Sequence, residues 1–260
     1  MERKEQKMGI NQNEEQSPQM AFVDAAGELI AYLKENRRPD EAASVFVMAA
    51  YIKQIEEKLV EAMQQIAEMQ SRLEVMQEEQ KTGNDMLLQY LSESSENLAV
   101  QYRGMKSELT DIKAEMTEKA VSIVGAVKQK GKEELARVSE YLQLQDKLEN
   151  FCGRVRKALG SLDEIIRRID AVGSHMRSAG VEIKNAARAV VGREEKSGMD
   201  KKFSLTDLLK KPFLAQRKLL GQILKGAEKA GEKCKQLSAE AGQKRLDAEP
   251  VAFEKRAKVR

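Results

Sequence analysis

Chemistry at neutral pH in this 260-residue chain would have to start from one histidine and two cysteines. His175 would act as a general base only beside a nucleophile or substrate group within hydrogen-bond reach. No cysteine or serine motif that would pair with it is present. Cys152 and Cys234 stand 82 residues apart without CxxC or Cys-His spacing, so neither a zinc site nor a disulfide framework is indicated. Two free thiols fit a reducing compartment. The glycines form neither a GxGxxG after a strand nor a GxxxxGK[ST] loop, which leaves no phosphate cradle. Acidic residues are plentiful but fall on solvated helix faces. No catalytic, cofactor-binding or metal-ligating residue is therefore assigned, no cofactor is expected, and the chain reads as a non-enzyme.

Charge offers a different chemistry, that of attraction to a polyanion. The net charge of +3 hides a gradient. Residues 1–100 carry 10 Lys/Arg against 19 Asp/Glu, whereas residues 201–260 carry 16 against 7. An acidic front and a basic rear invite contact between the two ends, or a rear that seeks nucleic acid or an anionic membrane surface. Phe203, Phe213 and Phe253 are the only aromatics in that rear, too few for a platform that stacks single-stranded bases.

The elements that carry these residues are helices. The chain has no Trp, 4% aromatic residues and four prolines, at positions 18, 39, 212 and 250. Between Pro39 and Pro212 it is dominated by Glu, Lys, Gln, Ala, Leu and Met, the composition of long helices. The strongest pattern is a seven-residue repeat from Ala42 to Gln80. Val45, Ile52, Leu59, Ile66 and Leu73 hold its a positions, and Met48, Ile55, Ala62, Met69 and Met76 its d positions. Five heptads make a seam about 60 Å long that wants a helical partner, another part of this chain, a second copy or a different protein.

Taken in order, the pattern predicts an all-α, elongated fold of long coiled-coil-type helices between a short N-terminal and a basic C-terminal helix. Residues 1–19 read as disordered, 20–38 as a short amphipathic helix, and 40–82 as the coiled-coil helix. Helix one is expected to fold back on the start of that helix, burying Phe46 and Tyr51. Residues 84–131 follow as a second seam through Leu98, Tyr102, Met105, Leu109, Ile112, Met116 and Ile123, lapsing at Lys119. Gly125 and Gly131 mark a bend. Residues 133–192 read as one glycine-punctuated helix with a basic outward face (Arg154, Arg156, Lys157, Arg167, Arg168, Arg177, Lys184, Arg188). Residues 193–203 are a linker, 204–246 a basic helix opened by the capping box Ser204–Asp207 and kinked or restarted at Pro212, and 247–260 a loose tail. The N-terminus lacks an apolar signal core, and the run from Ala42 to Ile52 is far short of the roughly 18 residues that span a bilayer. A cytoplasmic location is expected.

One block stands apart. In Asp170–Glu194, Gly173, Met176, Gly180, Ile183 and Ala187 recur at helical spacing, with Val172, Ala179 and Ala186 beside them. Small residues so placed favour close approach of a second helix over membrane contact, because the stripe lacks the bulk of an interfacial anchor. Its string AVGSHMRSAGVEIKNAARAVVGRE resembles a block in a family of uncharacterised proteins encoded on conjugative and other mobile elements of Gram-positive gut bacteria. The resemblance is strong over about 24 residues, loose over 22–193 and absent in the tail. It implies an accessory protein of a mobile element in a bacterial cytosol and transfers no functional residue. The sequence is thus read as a non-enzymatic helical scaffold or adaptor working through protein contacts. The alternative is a sequence-independent nucleic-acid binder acting through residues 201–260.

Overall fold

The computed structural model describes residues 18–79, 85–190 and 205–248, and every element among them is a helix. They are α1 (Pro18–Glu35), α2 (Pro39–Glu79), α3 (Asp85–Lys130), a 3-10 helix (Lys132–Gln143), α4 (Leu144–Val190) and α5 (Leu205–Ala248). At 1.5 Å per residue, helices of 41 to 47 residues run about 60–70 Å, so the molecule is all-α and long in one direction.

Both α1 and α2 begin on a proline, where the missing N–H costs nothing and φ is already helical. Between them the chain reverses at Arg37, whose φ of 59° is the left-handed conformation that usually calls for glycine. Bonds from Arg37 N to Lys34 O (3.2 Å) and from Arg38 N to Leu33 O (2.9 Å) close the turn. The sequence places a bend across Gly125 and Gly131; α3 runs unbroken through Gly125, and the turn falls at Gly131 alone, with φ of 99°.

Four long helices form a closed ring in which α2 packs on α3, α3 on α4, α4 on α5 and α5 back on α2, each antiparallel to its neighbours. Contacts fix the registers: Glu56 meets Lys113 (α2–α3), Glu108 meets Arg154 (α3–α4), Asp163 meets Arg217 (α4–α5), and Gln65 meets Gln216 (α2–α5). At one end α1 covers α2 and α3, while the 3-10 helix wedges between α3 and α5.

One core runs the length of the ring. Nine of the ten α2 seam residues are buried, from Val45 to Leu73, and Met76 packs on the core edge. The helices packed on α2 are α5, α3 and, at one end, α1, all of the same chain. Each Leu or Ile so buried contributes roughly 1.5–3 kcal/mol. An ion pair at the rim contributes about 0–1 kcal/mol, so the seams hold the fold and the charges adjust its register.

Several expectations are corrected. Phe46 is 62% exposed, and Tyr51 is half-buried with Lys229 of α5 5.5 Å from its ring, so the packing of α1 on α2 does not bury Phe46. The single helix expected over 133–192 is two elements, a tightly wound 3-10 segment and α4. Their buried line passes through Tyr141, Leu144, Cys152, Ala158 and Ile165, shifting Leu159 and Ile166 to the edge. Helix α5 does not restart at Pro212 but runs continuously through it, with the proline in its second turn. At the lapse of the α3 seam, Lys119 swings outward to Gln143 (2.7 Å) and Glu115 (3.4 Å) while Ala120 takes the buried place. The expectations for residues 1–17, Ser204 and the segments 191–203 and 249–260 lie outside the described residues.

Candidate functional site

The structure divides the chemistry-bearing residues into three places: a polar layer inside the ring, charged rows along its seams, and outward faces.

Inside, Tyr102 of α3 donates its hydroxyl to Gln216 Oε1 of α5 (2.8 Å), and Gln216 Nε2 donates to Ala62 O (3.1 Å) and Gln65 Oε1 (3.2 Å) of α2. Three helices are thus pinned at one level by groups that have left water. Burial pushes the Tyr102 phenol well above its ordinary range, so it stays a neutral donor. A second buried chain joins the 3-10 helix to its neighbours. Tyr141 donates to Met116 O (3.1 Å), and the Cys234 thiol donates to Tyr141 O (2.7 Å). Burial holds the Cys234 thiol up at about 11 and raises that of Cys152 as well. Neither is a reactive thiolate; both are buried and free.

Along the α4–α5 seam, Glu149–Lys235, Arg156–Glu228, Asp163–Arg217 and Asp170–Lys210 form successive rungs. Much of the basic face read from the sequence is used here and against α3. Arg154 meets Glu108 (2.8 Å), Arg168 lies 4.5 Å from the Tyr90 ring and pairs with Glu164, and Arg167 pairs with Glu164 too. Lys157 is exposed, while the side chains of Arg177, Lys184 and Arg188 lie outside the described residues. The basic rear is engaged likewise: Lys210, Arg217 and Lys235 belong to the rungs, and Lys229 sits 5.5 Å from the Tyr51 ring.

A recess of about 560 Å³ opens between α3, the 3-10 helix and α4. Its lining is charged but internally matched. Glu115 receives Lys119 and Lys147, and Arg137 clasps Glu140 (2.8 Å). Burial disfavours the Glu115 carboxylate, but hydrogen bonding and attraction to Lys147 and Lys119 outweigh it and hold the carboxyl below its usual range. No three His, Cys, Asp or Glu among the described residues are grouped to hold a metal ion. His175 is exposed on α4.

Of the small-residue stripe, Gly173 is buried against the start of α5. A Cβ built on it would stand 2.7 Å from Thr206 Oγ1 and 3.2 Å from Thr206 Cβ, closer than side chains pack. Helix α4 continues through Met176, Gly180, Ile183 and Ala187, whose side-chain surroundings are outside the described residues. The sequence missed a second close approach. A Cβ on Gly226 of α5 would stand 3.2 Å from Ile55 of α2, and the adjacent Ala227 and Ala230 were the available signal.

Among the described residues no helix is long and apolar enough to cross a membrane. No curated protein and no solved structure matches the chain. A family model does match, over residues 24–260, and it takes in the C-terminal region that the sequence resemblance left out. The chain belongs to DUF6674, a family of unknown function.

Proposed function

We propose that this protein is a non-enzymatic helical scaffold or adaptor, an accessory protein of a conjugative or other mobile element, working in the bacterial cytoplasm. The observation that carries the reading is the use of its charges. Rung after rung of acidic and basic side chains is matched between α3, α4 and α5 along helices of more than 40 residues. That arrangement supports a stiff rod of fixed register, suited to holding partners at a set separation. The mobile-element setting rests on the likeness of residues 171–194 to the block described above.

The test is reciprocal co-purification of the full chain with the products of neighbouring genes, followed by reconstitution from purified components. A stoichiometric complex is expected; a reproducible turnover abolished by His175→Ala would overturn the reading.

A second reading, sequence-independent nucleic-acid binding, is favoured by Lys218 and Lys225. They are exposed, stand two turns apart on α5 and have no partner among the described residues. Phosphate contacts of this kind lose affinity steeply with salt. The full chain mixed with duplex DNA at 20 mM and 150 mM salt separates the two readings. Binding at low salt that is weakened by Lys218→Gln with Lys225→Gln supports the second, and no binding at low salt removes it.

A further inference from the structure

We infer that the outward face of α2 between Asp40 and Lys53 is a self-association surface on which a second copy of this chain packs antiparallel. The run from Ala42 to Ile52 has no charged residue, so this part of α2 is apolar on its outer side as well as its inner one. Ala43, Phe46 and Ala50 are exposed there, Phe46 by 62%, and Val47 is half-buried beside them. A helix apolar all round is normally covered on all sides. Here α2 packs on α1, α3 and α5, and Ala43, Phe46 and Ala50 stay exposed all the same.

The order of residues on the open face identifies the occupant. Outward from the midpoint between Phe46 and Val47, Ala43 and Ala50 lie at equal distance, and Asp40 and Lys53 lie at equal distance beyond them. An antiparallel copy centred on that midpoint sets Phe46 against Val47 and Ala43 against Ala50. It also sets Asp40 of each chain against Lys53 of the other. Small residues permit close approach of the backbones, and the two end pairs are of opposite sign. A parallel copy in register would instead oppose Asp40 to Asp40 and Lys53 to Lys53. Asp40 and Lys53 are exposed and have no ion-pair partner among the described residues. The face follows from the symmetry of an isologous dimer, in which one patch meets itself. It is distinct from the buried seam and holds whichever protein or nucleic acid the rod serves.

The contact spans about 20 Å of helix, so a weak dimer is expected, and sedimentation of the full chain from about 5 to 500 μM is the measurement. The mass should rise toward twice 29.2 kDa over that range. Phe46→Glu should hold the chain monomeric with an unchanged thermal transition, since the residue is already in water in the monomer. Asp40→Lys and Lys53→Asp should each weaken association about tenfold, and the double exchange should restore it. Asp40→Lys also disturbs the first turn of α2, but Lys53 is in mid-helix and cannot repair that turn, so rescue reports the intermolecular pair. A chain monomeric at 500 μM overturns the inference, whether Phe46 is then bare, covered by the chain's own end residues or meant for another protein. A dimer indifferent to Phe46→Glu, or one weakened by either charge exchange and not restored by both, overturns it too.

Discussion

Gly173 and Gly160 lie less than four turns apart in α4, and the same substitution should move them in opposite directions. A methyl group on Gly160 meets nothing within 4 Å, so Gly160→Ala gains helix propensity alone, about 1 kcal/mol. A methyl on Gly173 meets the buried Thr206 side chain, whose β-carbon is too short a lever to swing clear. Gly173→Ala should therefore gain little or lose, and Gly173→Leu should cost roughly 1–3 kcal/mol through overpacking, although Leu is the better helix former. Thermal unfolding of the three variants is the check. A Gly173→Leu protein as stable as its parent would make this glycine a hinge and not a contact.

At the scale of elements, the 3-10 helix is the departure from regularity. A run of 12 residues is long for that geometry, and Tyr141 and Cys234 secure it with one buried bond each. Both groups, like Tyr102, have their ionisation pushed up by burial. In the unfolded chain these protons leave near pH 8.5–10, whereas in the fold they stay on until about pH 11 or above. Between those values the unfolded state binds fewer protons, so stability falls as pH rises. The melting temperature should drop by several degrees between pH 9 and pH 11, and less so in Cys234→Ser with Tyr102→Phe. A flat profile would place these groups in water. This element also marks the limit of what the sequence discloses. The α2 and α3 seams were legible because apolar residues recur every three or four positions regardless of which helix covers them. The split at Gln143 was not, because Leu135, Val138, Leu142 and Leu148 satisfy a continuous α-helix equally well. Phe46 was misplaced for a related reason: in a run uncharged on every side, periodicity cannot distinguish the inner face from the outer one.

At the scale of the molecule, the heptads of α2 state that helices will cover this face but not whose helices they are. The structure covers it with α3 and α5 through contacts distant in sequence, such as Gln216 with Ala62 and Ile55 against Gly226. That assignment has a consequence for the double variant Ile52→Asp with Leu59→Asp, which puts two carboxylates into fully buried positions. If the covering helices belonged to a second copy, the variant would lose mass while each chain kept its helices. With the partners inside the chain, the ring itself must open, because an unpaired buried charge costs several kcal/mol and a domain holds only about 5–15 kcal/mol in total. Circular dichroism should show loss of most helical signal and of the cooperative transition, with the same result at 5 and 200 μM. Retention of helicity and of the transition, with only the sedimenting mass reduced, would show that the seam joins two molecules.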